Sequence, residues 1–180
     1  ADFSFITGLT KLGIEKVPPL IGRGVLVDMA RYHGVSSMSG GQPITRQDII
    51  EATNEQKINF KKGDIIIFHT GWTDAKLKDY PEEWGSSIPG ITNDAAVYLA
   101  SLEPMAVGAD TWGLGAVPPI EGDKVYYDHV TLIKENGIYI LETMNTGKLA
   151  ENQVSEFMFV LGQPKIKGAV QMIINPVALW

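Results

Sequence analysis

The segment YYDHVTLIKENGIYILETMN (residues 126–145) places His129, one of only three histidines, thirteen positions before Glu142, an acid that closes an apolar run. A histidine and a glutamate brought together can bind a divalent metal or exchange protons with a bound substrate. The residues between them decide whether they can meet. Apolar Val130, Leu132 and Ile133 have helical spacing, and Asn136 and Gly137 are a stop signal, so a helix of about eight residues, roughly 12 Å long, is predicted. IYILE then reads as a strand about 13 Å long. If that strand turns back along the helix, Glu142 returns to the level of His129. The spacing is compatible with a shared site, but on its own it reads first as a histidine that caps a helix and a glutamate that bonds a loop amide.

Asp110 is a second candidate. In VGADTWGLG a carboxylate directly follows a strand and sits among small residues beside Trp112. Strand ends entering glycine-rich loops are where α/β proteins build sites, although Asp also starts ordinary turns. Trp112 reads as a pocket wall or as core. Trp72 and Tyr127 can add aromatic wall, which would suit an aryl substrate. His69 ends a strand in FHTGW and reads first as a structural residue. His33 opens a polar loop. Glu121, Asp123 and Asp128 make the loop before His129 acidic, which suits a cation but reads first as solvated surface.

Other chemistries lack their motifs. GLGAVP and GRG do not complete a dinucleotide or phosphate loop, and GVSSM lacks the second glycine of a nucleophile elbow. There is no His-x-x-x-His pair. The absence of cysteine removes thiolate nucleophiles, disulfides and cysteine-bound zinc together.

The elements that must position these residues are legible in part. A buried strand is expected over 24–30, after the Pro18 and Pro19 turn. Residues 34–41 read as loop. Thr45 and Asp48 form a capping-box signature ahead of a helix whose Ile49, Ile50 and Ala52 face the core. The run after Asp64 is a strand covered on both faces. A helix over 93–102 with Thr92 as cap, a short strand ending at Asp110, and two late strands in SEFMFVLGQP and GAVQMIINPVAL complete the reading. The expected architecture is one α/β domain over residues 1–180, a mixed sheet with flanking helices.

The bulk composition agrees with that architecture. The 180 residues are 44% hydrophobic and 20% charged. That suits a globular chain with a hydrophobic core. No apolar run approaches the roughly 18–20 residues that span a bilayer, so no membrane partner is expected. Net charge is −6, and basic residues are scattered. Nucleic acid is therefore not an expected partner. The N-terminus has no initiating Met and no signal-like stretch, and a cytoplasmic location is expected.

LGIEKVPPLIGRGVLVDMAR, GDIIIFHTGW, VGADTWGLGAVPP and the block from His129 through INPVA resemble, in order, the metal-dependent cyclase family, which includes bacterial kynurenine formamidases and isatin hydrolases. The resemblance covers nearly the whole chain. It implies a swivelling β/β/α-type fold, a divalent metal (zinc or manganese), and hydrolysis of an amide, imide or formamide C–N bond by metal-activated water. It implies that His129 and Glu142 are the late metal-side pair, as ligands or proton carriers, and that Asp110, Trp112 and Trp72 line the pocket of a small, aromatic substrate. It also implies a homodimer or higher homo-oligomer, for which the late VQMIINPVAL strand could serve. The family's early His-x-Gly-Thr-His-x-Asp-x-Pro-x-His motif does not occur in these residues. The expectation is a C-terminal part of a longer chain, with the remaining metal ligands upstream. A non-catalytic binding or assembly protein of the same fold is the alternative.

Overall fold

The structure, a computed structural model, describes residues 4–180; the first three residues, where the initiating Met is missing, lie outside it. Two compact units are present among the described residues, Arg23–Phe157 and a smaller one made of residues 4–22 with Met158–Trp180.

The elements follow in chain order. Strands β1 (Ser4–Phe5) and β2 (Gly8–Leu9) pair antiparallel in the smaller unit. Strand β3 (Leu20–Asp28) leads into helix α1 (Met29–Tyr32), strand β4 (Pro43–Ile44) and helix α2 (Arg46–Glu55). Next come strand β5 (Ile65–His69), helices α3 (Trp72–Lys76) and α4 (Pro81–Ser86), strand β6 (Gly90–Ile91) and helix α5 (Asn93–Ser101). Strand β7 (Ala106–Ala109) precedes helix α6 (Tyr127–His129), which continues as a π-helix (Val130–Glu135). Strand β8 (Tyr139–Leu141), helix α7 (Gly147–Glu151) and strands β9 (Glu156–Leu161) and β10 (Val177–Leu179) finish the chain.

The strand order β10-β9-β3-β5-β7-β8 makes a mixed α/β sheet of six strands. β3, β5, β7 and β8 run parallel, whereas β10 pairs antiparallel with β9 in the smaller unit. Parallel pairing requires crossovers, and the helices supply them.

Register explains the core. Val25 pairs with Ile66 and Ile66 with Val107; Val27 pairs with Phe68 and Phe68 with Ala109. Neighbours in register point to one face. These residues form one apolar cluster with Ile49 and Ala52 of α2, Ala95, Ala96 and Leu99 of α5, and Leu132 of the π-helix. Leu26, Ile67, Gly108 and Leu141 form the opposite row. Gly108 is needed there because a Cβ on it would lie 2.5 Å from the Leu141 carbonyl oxygen.

Several sequence expectations need correction at their ends. The first strand stops at Asp28, because the Asp28 carboxylate accepts the Arg31 amide at 2.9 Å and turns Met29 and Ala30 into α1. The Thr45 capping box is present, with Asp48 accepting the Thr45 amide at 2.8 Å. Ile49 and Ala52 are buried, while Ile50 is only half-buried. The late apolar run is not one strand. Only Val177–Leu179 pairs, and Ile173 stands 95% exposed. Branched residues favour extended backbone, but a strand also needs a neighbour to pair with.

Candidate active site

The π-helix and β8 form the returning pair that the spacing allows. Gly137 takes the left-handed conformation (φ 65°), and Asn136 Nδ2 donates to the Thr131 carbonyl at 2.7 Å, which closes the helix end. The Ile138 amide donates back to the Leu132 carbonyl at 2.8 Å. β8 then runs back along the helix. His129 Nε2 lies 3.3 Å from Glu142 Oε1.

His129 has a second partner that the sequence reading missed. Its Nδ1 lies 3.1 Å from Asp128 Oδ2. Asp128 is only 2% exposed, so the reading of a solvated acidic loop does not hold for it. Its carboxyl group lies 3.2 Å from where a Cβ on Gly115 would stand, so the glycine makes room for it. The imidazole is thus held between two carboxylates. The Asp128 bond first, and the Glu142 bond second, push the His129 pKa up to about 9 against the opposing cost of burial. His129 is an imidazolium at neutral pH. Its side chain and that of Glu142 each keep 31% exposure, so a solute can reach them. Tyr126, left-handed at φ 59°, sets its ring edge-on to His129 with centroids 5.6 Å apart.

Glu142 is presented by a strained turn. The β7–β8 ladder pairs Gly108 with Leu141, so its continuation would give the Ala109 carbonyl to residue 143. The Met144 amide takes it instead at 3.0 Å, and Thr143 bonds the Thr111 carbonyl at 2.7 Å. Thr143 is the extra residue of a bulge and sits at φ 54°. A β-branched residue there carries strain of about 1–3 kcal/mol.

A second polar group lies at the same carboxyl edge of the parallel strands. His69 is in register with Asp28, and Asp110 follows Gly108 by two residues, so both belong to the row of Leu26, Ile67 and Leu141. Glu142 follows Leu141 and faces the opposite way. The two groups therefore lie on opposite faces of the sheet.

Asp110 is 2% exposed and acts as a hub. Its Oδ1 accepts the Thr70 amide at 2.8 Å and the Thr70 hydroxyl at 2.7 Å. Its carbonyl accepts the Thr73 hydroxyl, which in turn accepts Trp84 Nε1 at 2.9 Å. The Trp84 carbonyl accepts Trp112 Nε1 at 2.7 Å and Trp72 Nε1 at 3.4 Å. Burial raises the Asp110 pKa, opposed first by the neighbouring His69. Asp110 Oδ2 is buried without a partner among the described residues. Asp110, Trp112 and Trp72 are thus joined in one network. Trp72 is fully buried in the packing of α3, while Trp112 keeps partial exposure. Trp84, the link between them, carries no sequence signal. His69 is buried, with Nδ1 2.7 Å from the Thr146 hydroxyl. His33 takes no part in this network, and its Nε2 is buried without a partner among the described residues.

Among the described residues no group of three or more His, Asp or Glu side chains comes together to hold a metal ion. His129 and Glu142 supply two potential donors. Ligation needs a neutral imidazole. The described residues do not, by themselves, make up a metal centre.

The family follows from comparison with known proteins. The Cyclase family model, described as "Putative cyclase", matches residues 1–116. That is more than half of the chain, and the chain belongs to this family. The match includes His69, Asp110 and Trp112 but stops short of His129 and Glu142. A solved structure described as a novel cyclase superposes with a TM-score of 0.84 at 31% identity, over 97% of this chain. The chain spans 58% of that protein's length. Isatin hydrolase A from Ralstonia solanacearum matches with a TM-score of 0.73 at 18% identity, over 99% of this chain and 68% of its own. Isatin hydrolase A from Labrenzia aggregata, solved with benzyl benzoate, matches with a TM-score of 0.70 at 18% identity, over 97% and 69%. At such identities the likeness shows the fold alone. No curated protein matches. Among the described residues no helix is long and apolar enough to cross a membrane.

Proposed function

We propose that the protein hydrolyses a C–N bond in an amide, imide or formamide of a small, aryl-bearing molecule, with His129 and Glu142 moving the protons. The observation that carries this reading is the reachable imidazolium fixed between Asp128 at 3.1 Å and Glu142 at 3.3 Å. Hydrolysis adds water to the carbonyl and expels nitrogen, so one proton must leave the water and one must reach the leaving nitrogen. Glu142 accepts the proton from water. His129 donates its own to the nitrogen, and the proton held by Glu142 restores it. Asp128 holds Nδ1 throughout and keeps Nε2 directed at Glu142. The partly exposed Trp112 supplies an aromatic surface at the same edge.

A divalent metal, zinc or manganese, would polarise the carbonyl and lower the pKa of the water. The described residues do not complete a site for it, and the proton steps above are assigned to this chain alone. The assembly is proposed to be a homo-oligomer; a monomer by sedimentation at micromolar concentration would overturn that part.

Glu142→Gln keeps the shape and removes the base. In the whole protein it is expected to lower turnover of an N-formyl aryl amine by about 100- to 10,000-fold while leaving circular dichroism unchanged. Wild-type turnover in that variant sinks the assignment. A second reading, a binding or assembly protein of this fold, is favoured by the absence of a three-residue metal cluster among the described residues. Wild-type protein that binds but never hydrolyses amides, imides and formamides would establish it.

A further inference from the structure

Glu142 acts only if the turn that presents it holds still. That turn is strained at Thr143, and strain persists only where neighbours hold the backbone in place. The near end of the 142–147 loop is held by the Thr111 and Ala109 carbonyls, which accept Thr143 and Met144. The far end is held from the other face of the sheet. His69 Nδ1 bonds the Thr146 hydroxyl at 2.7 Å, between residues 77 positions apart. Five residues past His69, the Asp74 carboxylate lies 2.3 Å from where a Cβ on Gly147 would stand, so the glycine leaves room for that side chain against the loop. The clamping segment is itself anchored, since Asp110 binds Thr70 through its carboxylate and Thr73 through its carbonyl. Buried histidines usually have a structural partner, and this one selects the loop that carries the proton-accepting glutamate.

We propose that His69 is a positioning residue: through Thr146 it locks the 142–147 loop from the opposite face of the sheet and thereby fixes where Glu142 stands relative to His129. This rests on the reading of Glu142 as the base. The lock explains why a histidine is placed at a buried strand end whose row otherwise holds apolar side chains and acids.

Two variants of the whole protein test it. Thr146→Val removes the hydroxyl and keeps the shape, whereas Thr146→Ser keeps the hydroxyl. Two readouts are taken, amide hydrogen exchange at Thr143 and Met144, and kcat and KM for an N-formyl aryl amine. Thr146→Val is expected to speed exchange at those two amides by about tenfold, with the β5 amides unchanged. It should lower kcat by about tenfold at unchanged KM, the pattern of a misplaced catalytic group. Thr146→Ser should restore both. Wild-type exchange at Thr143 and Met144 in Thr146→Val overturns the lock. So does an equal rise in β5, which would mark general destabilisation, and so does failure of Thr146→Ser to rescue. If wild-type protein turns over no formamide, amide or imide, the hydrolase reading fails while the exchange measurement still decides the lock.

Discussion

The chemistry at the level of single residues turns on His129. Its pKa of about 9 lies above the ordinary 6.5, so the folded chain holds a proton that the unfolded chain releases first as pH rises. The ion pairs therefore contribute in full below pH 6.5, and their contribution is lost as pH climbs through about 9. Asp128 is the larger cause and is buried, so its removal matters more than that of Glu142. Asp128→Asn is expected to lower the His129 pKa, followed by imidazole NMR, further than Glu142→Gln does. The same variant should flatten the loss of denaturant stability between about pH 6 and about pH 9.5. A larger shift from Glu142→Gln would reverse the assignment of the dominant partner. The rises of helix and strand allowed His129 to reach Glu142 but did not require it, and spacing alone read first as a helix cap and a loop-amide partner. Asp128 was not legible. Its neighbours Glu121 and Asp123 are equally acidic, and the room that Gly115, thirteen residues earlier, leaves beside the Asp128 carboxyl group appears only in the folded chain.

At the level of elements, patterns within one segment were readable and pairings between segments were not. The Thr45 capping box, the helix after it and β5, apolar up to His69, follow from local spacing alone. The late VQMIINPVAL run is rich in branched residues like β5, yet only its last residues find a partner strand, because nothing in a sequence window says which edge is free. The bulge at Thr143 is a further product of pairing: it appears only once β8 is laid beside β7. It yields a prediction that separates strain from packing. Thr143 is exposed, so its side chain contributes little packing, whereas its left-handed backbone costs about 1–3 kcal/mol in a β-branched residue. Asn tolerates that conformation far better. Thr143→Asn is expected to raise stability by about 0.5–1 kcal/mol in urea denaturation. A fall of that size would mean that the threonine side chain is holding the turn rather than straining it.

For the molecule as a whole, fold and active-site chemistry separate. The parallel sheet places His69, Asp110 and Glu142 at one edge but on two faces, and among the described residues no three such side chains gather to hold an ion. A hydrolase that uses a divalent metal must therefore draw further donors to His129 and Glu142, and His129 must give up a proton to ligate. Native-state binding stabilises in proportion to the logarithm of ligand concentration, by about 2.7 kcal/mol at one hundred times Kd. Saturating zinc or manganese is therefore expected to raise the Tm of the whole protein. Because a ligating imidazole must be neutral, the rise should be smaller at about pH 6 than at about pH 8.5. Glu142→Gln should diminish it at either pH. A Tm that neither metal moves at either pH would leave proton transfer by the His129 and Glu142 pair without metal assistance, and would favour the binding-protein reading. A rise that Glu142→Gln leaves intact would place the ion elsewhere and confine the pair to moving protons.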